Sequence, residues 1–238
     1  MSNVLARSEQ LREEMTLKNL FELICQDGDK VAARWLEDED GEGKITFAEY
    51  RRSALRCAGQ LRAALGGGNA GRFVGIQLDT CPEYFWVFWG VIAAGYNAVL
   101  LDFSLNDDMT AYLLRQAGAV ALIGKGKRLS IADVPQFTLR QLKEGMEQAQ
   151  ETEMPFGGKV ALCTSGTTDT SRVFVYDEKA VCAQVLNSEL LYKANRRIIC
   201  DEPRRNLAFA FSLQPPGGHL IAVLADQLEQ VFQRHFFP

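Results

Sequence analysis

Four hydroxyl side chains lie within five residues, directly after a short apolar run at residues 160–163. The five residues are Thr164, Ser165, Gly166, Thr167 and Thr168. Hydroxyls and backbone N–H groups that converge from a tight turn containing glycine form a concave site for an anion. Arg172 follows within reach, and a guanidinium adds bidentate hydrogen bonds to phosphate oxygens. The pattern predicts a phosphate-binding loop, although these residue types are also typical of an ordinary surface loop.

The residues around this loop argue against two other kinds of site, a Walker phosphate loop and a hydrolase active site. A Walker loop needs a lysine after its last glycine and then a helix, whereas residues 172–176 are mostly β-branched and aromatic. The turn therefore joins two strands in this prediction. Ser165 is not in the Gly-x-Ser-x-Gly pattern of hydrolases, and Cys163 has no recognisable catalytic partner. We interpret Cys163 as a buried strand residue.

Composition excludes several classes of protein. The chain has 238 residues, 47% of them hydrophobic and 24% charged, which is typical of a globular protein with one or two domains. A net charge of −4 without a basic cluster argues against a nucleic-acid partner. Six cysteines without a Cys-x-x-Cys pair, and only two histidines, argue against a zinc site.

The chain shows no pattern typical of secretion or membrane insertion. Residues 1–14 are polar and charged, unlike a signal peptide, so we expect a reducing, cytoplasmic location. Residues 84–101 carry no charge, but Gly95 interrupts them and no lysine or arginine bias flanks them. They predict a core helix, a turn and a buried strand, and no membrane span.

Apolar periodicity predicts alternating helices and strands along the chain. Helix starts are marked by two capping boxes, Thr46 with Glu49 and Thr138 with Gln141. The alternation predicts an α/β fold: a layered mixed sheet with helices on both faces. Predicted helices cover residues 16–26, 46–65, 84–94, 108–116, 138–153, 178–193 and 220–228. Predicted strands cover residues 30–37, 73–78, 98–101, 120–123, 160–163, 172–176 and 207–211.

The segment from Thr164 to Arg172, called the polar loop from here on, resembles the phosphate loop of the adenylate-forming superfamily. That superfamily includes acyl- and aryl-CoA synthetases, peptide-synthetase adenylation domains and luciferases. The loop of that family reads Thr-Ser-Gly-Thr-Thr-Gly-x-Pro-Lys-Gly, and residues 164–168 match its first five positions in order. Residues 45–50, 73–78, 82–84 and 93–102 are similar to further family segments in the same order. The resemblance covers the chain from about Leu17 to His219.

The resemblance implies a two-step reaction that needs ATP and Mg²⁺. A carboxylic acid substrate is first converted to an acyl-adenylate, and its acyl group then passes to coenzyme A or a carrier-protein pantetheine. By the same resemblance, the hydroxyls of residues 164–168 bind ATP phosphates, Gly166 allows close backbone approach, and Arg172 replaces the family lysine. It also implies a division into a first α/β subdomain at residues 1–158 and, at residues 159–238, the phosphate loop with the start of a second subdomain.

The chain departs from the family pattern at several points. Asp169 stands where the family has glycine, and Gln214 and His219 lie in a disturbed version of the next motif. The family's adenine and ribose motifs and its C-terminal domain with the catalytic lysine are not found up to Pro238. Two hypotheses remain open. The chain is either the N-terminal portion of a ligase, inactive alone, or a non-catalytic module or split subunit that a partner chain completes.

Overall fold

The computed structural model describes residues 2–37, 41–79, 81–124, 134–152, 155–163 and 171–194. These residues divide into two compact units. One unit is built from residues up to Tyr50 and from Lys179 onward, and the other from Arg51–Glu178. The subdomain division suggested at residue 158 stays a prediction, and the predicted elements at 207–211 and 220–228 lie outside the described residues.

Helices and strands alternate along most of the described chain. The helices are α1 (Ser2–Glu13), α2 (Leu17–Cys25), α3 (Phe47–Leu65), α4 (Glu83–Ala93), α5 (Asp107–Ala117), α6 (Leu139–Gln148) and α7 (Glu178–Ala194). The strands are β1 (Val31–Glu37), β2 (Gly41–Thr46), β3 (Phe73–Gln77), β4 (Asn97–Leu100), β5 (Ala119–Gly124), β6 (Gln136–Thr138), β7 (Lys159–Cys163) and β8 (Val173–Asp177). Most predicted elements are present, with ends that differ by one or two residues, except that the helix predicted over residues 138–153 ends at Gln148.

The second unit contains a six-stranded sheet in the order β6-β5-β3-β4-β7-β8. Strands β3 to β7 are parallel, and β8 runs antiparallel to β7. Parallel neighbours need a long crossover, usually a helix. Helix α4 connects β3 to β4, and α5 connects β4 to β5. The predicted mixed α/β fold class is therefore confirmed.

Both faces of the central parallel strands of this sheet are buried. Leu113 and Leu114 of α5 pack on one face, in a cluster completed by Val99, Leu101, Leu122, Ala161 and Cys163. Successive strand residues point to opposite faces. The residues that alternate with the cluster are also buried: Ala98, Leu100, Ala121, Ile123, Val160 and Leu162. Burial on both faces is what a largely parallel sheet requires, because its crossover helices cover it.

The uncharged stretch 84–101 forms a buried helix, a turn and a strand, as predicted. Gly95 makes the turn in the left-handed region, with φ of 84°. Earlier in the stretch, Gly90 of α4 lies against α3, where an added Cβ would be 2.7 Å from the Cβ and Sγ of Cys57. Within the described ranges, no helix has the length and apolar character needed to cross a membrane.

Hydrogen bonds at the helix starts confirm both predicted capping boxes. The N–H of Glu49 donates to Oγ1 of Thr46 (3.2 Å), and the Glu49 carboxylate accepts from the Thr46 N–H (2.9 Å). The N–H of Gln141 likewise donates to Oγ1 of Thr138 (3.1 Å), and Oε1 of Gln141 accepts from the Thr138 N–H (2.9 Å). These bonds satisfy backbone donors that the first helical turn leaves without a partner.

Three elements were not predicted from the sequence, because long-range contacts stabilise them. Helix α1 is mostly polar, and its Arg7 forms a buried ion pair with Asp27 (2.9 Å) in the first unit. Strand β2 contains glycines and pairs with β1, where a Cβ at Gly43 would collide with the Trp35 ring. Strand β6 has three residues and forms only by pairing with β5.

Candidate functional site

The polar loop connects two neighbouring antiparallel strands. Cys163, the last residue of β7, is paired with Val173, the first residue of β8. The prediction that the loop joins two strands is therefore confirmed. Residues 164–170 lie outside the described residues, so the phosphate-binding roles of Thr164, Ser165, Gly166, Thr167 and Thr168 stay predictions, as does the position of Asp169.

Arg172 lies at the end of this loop, directly before β8, and is exposed. The register between β7 and β8 places it at the edge of the sheet where β7 ends. Buried β7 residues hold the other side of the loop in the sheet: Val160, Ala161, Leu162 and Cys163. The two strands thus bring Arg172 back beside the start of the polar loop. This proximity is needed if Arg172 and the hydroxyl residues are to bind the same phosphates.

The loop leaves the sheet at the edge shared by the carboxyl ends of the parallel strands. Strand order reverses at β3, since the chain moves from β3 to β4 on one side and then to β5 on the other side of β3, and β4 separates β3 from β7. In open α/β sheets, ligands bind in the crevice outside the carboxyl ends of the strands, at such a reversal. The loop therefore lies at the carboxyl edge of the sheet, on which ligands bind, two strands away from this reversal.

The neighbouring loop, between β4 and α5, is held by a buried amide that the sequence analysis missed. Nε2 of Gln77, at the end of β3, donates to Oγ1 of Thr110 (3.0 Å) and to the carbonyl oxygens of Asp102 (3.2 Å) and Leu105 (3.4 Å). Gln77 and Thr110 are both buried. The sequence feature that could have revealed this role is a glutamine at the end of an otherwise apolar strand. The amide anchors backbone beside the end of β7, since β4 and β7 are paired.

Side-chain hydrogen bonds also shape this neighbouring loop. Oδ1 of Asp102 accepts from the N–H and hydroxyl of Ser104, both at 2.6 Å. Asn106 then caps α5, with its Oδ1 accepting from the N–H of Met109 at 2.9 Å. An aspartate that accepts from the backbone two residues later forms a tight local turn. The loop beside β7 is therefore constrained at both ends.

The cysteine thiols near the sheet are poor nucleophiles. Burial raises the pKa of Cys163 to about 12 and that of Cys57 to about 12. Burial, together with the charge of Glu83, raises the pKa of Cys81 to about 11. A thiol is nucleophilic as the thiolate, so these groups are unreactive at neutral pH. Cys163 is a buried strand residue, as predicted.

An ion pair joins α4 to α6 in the second unit. Nζ of Lys143 donates to Oε1 of Glu83 at 2.5 Å, with the side chains 54% and 22% exposed respectively. Burial by itself raises the pKa of Glu83, but the hydrogen bond and charge of Lys143, together with hydrogen bonds from the backbone and from Cys81, leave that pKa below its usual value. The pair thus favours the ionised carboxylate.

No ligand set for a metal ion is found in the described part of the chain. Within it, no group of three or more His, Cys, Asp or Glu side chains is placed to hold an ion. Mg²⁺ usually takes one or two carboxylates together with waters and substrate phosphates. A Mg²⁺ ion bound together with ATP would therefore not need a group of three such side chains.

A family model described as AMP-binding enzyme matches residues 22–187, a range that includes the polar loop and both its flanking strands. The chain belongs to the AMP-binding enzyme family. Its resemblance to adenylate-forming enzymes is thereby confirmed. Adenylation is the chemistry of this family, and ATP with Mg²⁺ is its general requirement.

One curated relative and two solved structures illustrate what this AMP-binding chain is similar to. A nonribosomal peptide synthetase, SIDC of Beauveria bassiana, is 26% identical to it, over 60% of this chain and 3% of that protein. An acyl-CoA synthetase of Brucella canis has 17% identity and a TM-score of 0.58, covering 69% of this chain and 34% of that structure. A fatty acyl-adenylate ligase of L. pneumophila, in complex with acyl adenylate and pyrophosphate, has 16% identity and a TM-score of 0.60, covering 79% and 34%.

These matches define what part of an adenylate-forming enzyme the AMP-binding chain represents. It spans 34% of the length of each of those two solved structures and 3% of the peptide synthetase. The similarity lies in the N-terminal part of such enzymes, as it does for the N-terminal subdomain of NpsA from Klebsiella oxytoca. At identities below 25%, the structural likeness establishes the fold and leaves the substrate open.

Proposed function

We propose that this chain is the N-terminal portion of an ATP-dependent carboxylic acid–thiol ligase. The ligase forms an acyl-adenylate and then transfers the acyl group to coenzyme A or a carrier-protein pantetheine. The observation that carries the proposal is the β7–β8 hairpin. Its connecting sequence contains the Ser/Thr/Gly run, and Arg172 returns at the carboxyl edge of the sheet.

The first step is attack by a carboxylate oxygen of the acid on the α-phosphorus of ATP. The bond to the bridging oxygen breaks, and pyrophosphate leaves with the electron pair. Residues 164–168 would hold the β- and γ-phosphates through hydroxyl and backbone donors, because fixed donors stabilise charge that develops on the leaving group. Arg172 would add a guanidinium, which is well suited to phosphate oxygens. When bound, Mg²⁺ neutralises part of the phosphate charge.

The second step is attack by a thiol sulfur on the acyl carbon, which releases AMP. Coenzyme A and a carrier-protein pantetheine are the candidate acceptors. Within the described residues, the proposal assigns no group to this step.

Acid-dependent exchange of labelled pyrophosphate into ATP tests the ligase activity. We expect exchange from the complete gene product with at least one acid in a panel of fatty, aromatic and amino acids. Direct titration of the 238-residue chain with MgATP tests the phosphate site separately. Absence of exchange with every acid, together with absence of MgATP binding, would contradict the proposal.

Asp169 favours a second candidate, a non-catalytic module or a split subunit completed by a partner chain. It places a carboxylate where the family has glycine, beside the expected position of a polyanion. At an effective dielectric constant near 20, like charges about 5 Å apart repel by roughly 3 kcal/mol. The variant Asp169→Gly discriminates between the candidates. A large gain in MgATP affinity supports the degenerate module, whereas unchanged affinity and acid-dependent exchange support the ligase.

A further inference from the structure

Strand β8 has three consecutive exposed apolar residues. Phe174 is 47% exposed, Val175 51% and Tyr176 39%. Strand order places β8 at the edge of the six-stranded sheet, and in the described part of the chain only β7 pairs with it. Edge strands usually carry a charge, a proline or a bulge that prevents pairing with another chain. The centre of β8 carries none of these, so its outer edge is suited to accept a strand.

The ends of β8 carry opposite charges. Arg172 precedes the strand, whereas Asp177 ends it and Glu178 follows. A second copy of β8 laid alongside in the parallel direction would place like charges side by side. A second copy in the antiparallel direction would place the basic end of each strand opposite the acidic end of the other. The charge pattern therefore favours antiparallel self-pairing.

We propose that β8 is the interface of a homodimer, in which it pairs antiparallel with β8 of a second copy around a two-fold axis at Val175. Such an interface is isologous, so the same edge serves both copies. Val175 then lies opposite the second copy's Val175, and Phe174 lies opposite the second copy's Tyr176. At the ends of the ladder, Val173 lies opposite the second copy's Asp177, and Arg172 and Glu178 flank the paired strands.

The side-chain pairs of this register are favourable for a sheet. Cross-strand aromatic pairs and pairs of opposite charge stabilise antiparallel strands, whereas like charges opposite each other destabilise them. Pairing would also give a strand neighbour to the outer side of residues 174–176, since in the described part of the chain β8 has a neighbour on one side only. The interface involves one short strand from each copy, so we expect a dissociation constant on the order of micromolar.

Substitutions at position 175 test the proposal directly, because the two-fold axis places Val175 of one copy opposite Val175 of the second copy. Sedimentation velocity on the 238-residue chain across a concentration series should show a reversible monomer–dimer equilibrium. Val175→Lys alone and Val175→Glu alone should each raise the dissociation constant by about a hundredfold, since like charges would meet at the axis. An equimolar mixture of the two variants should recover the dimer, because lysine then faces glutamate.

Val175→Thr is the matched control, because threonine is β-branched and uncharged and should preserve the dimer. Circular dichroism melting of each variant checks that the monomer is folded. Recovery of the dimer on mixing is expected only for the proposed register. A wild-type chain that stays monomeric throughout the series would overturn the proposal. So would a dimer that persists in both charged variants, or a failure of the mixture to recover it.

Discussion

The side-chain amide of Gln77 donates a 3.0 Å hydrogen bond to the hydroxyl of Thr110, and both side chains are buried. This contact joins the carboxyl end of β3 to α5. The same amide nitrogen also bonds two carbonyl oxygens of the intervening β4–α5 loop. A single side chain thus orders backbone at the sheet edge where the polar loop begins.

We expect Gln77→Leu to lower the free energy of unfolding by about 1–3 kcal/mol, because it leaves buried polar groups without their donor. Urea denaturation measures the loss. Thr110→Val removes the other partner of the bond. Because the two side chains share this bond, the double variant should lose less stability than the sum of the single variants, by at least about 0.5 kcal/mol. Additive losses would show that the two side chains do not interact.

Arg172→Ala should weaken MgATP binding by about tenfold or more, because a hydrogen bond to a charged group contributes roughly 1.5–3 kcal/mol. Arg172→Lys should have an intermediate effect, since it keeps the charge and loses the bidentate geometry. Isothermal titration calorimetry on the complete protein measures both. Arg140→Ala is the matched control, because the Arg140 side chain is 85% exposed on α6. If Arg172→Ala and Arg140→Ala bind MgATP with equal affinity, Arg172 does not contribute to the phosphate site.

Thr138→Ala should destabilise the chain by about 1 kcal/mol, because the N-cap of α6 is lost. Thr138→Ser keeps a hydroxyl that accepts from the N–H of Gln141, so it should retain most of the stability. Thermal and urea unfolding of both variants measure the difference. Equal losses of stability in Thr138→Ala and Thr138→Ser would show that the hydrogen bond accepted by the hydroxyl contributes nothing.

The Glu83–Lys143 pair should make stability depend on pH in the acid range. The pKa of Glu83 is lowered in the folded state, so its contribution is present above the unfolded pKa of about 4.3 and is lost as pH falls through the folded pKa. Glu83→Gln should therefore be less stable than the wild type at pH 7, by less than about 1 kcal/mol because Lys143 is half exposed.

The difference between Glu83→Gln and the wild type should shrink as pH falls below the unfolded pKa of about 4.3, and it should disappear below the lowered folded pKa, where the Glu83 carboxyl is neutral in both states. Urea unfolding from pH 7 to pH 3 follows it. Glu144→Gln is the control, because Glu144 forms only an exposed pair with Arg140 at 3.9 Å. A difference that stays constant with pH would mean that the carboxylate charge of Glu83 is not responsible.

Elements with a strong local pattern were predictable from the sequence. The capping boxes at Thr46 and Thr138 mark the starts of α3 and α6, and hydrogen bonds confirm both. The apolar stretch 84–101 predicts α4 and β4, because a helix, a glycine turn and a buried strand each have a local signature. The hairpin around the polar loop was predictable for the same reason.

Only the tertiary structure decided the strand order, the pairing of β2 and β6, and the positions of Gln77 and Arg172. Strand β6 has three residues, and α1 joins the first unit through the buried pair of Arg7 with Asp27. The exposure of Phe174, Val175 and Tyr176 also follows from the place of β8 at the sheet edge. The sequence by itself determined the hydroxyl run, the helix caps and the apolar strands. Local patterns encode these features through propensity and periodicity, whereas strand order and edge exposure depend on contacts between residues far apart in the chain.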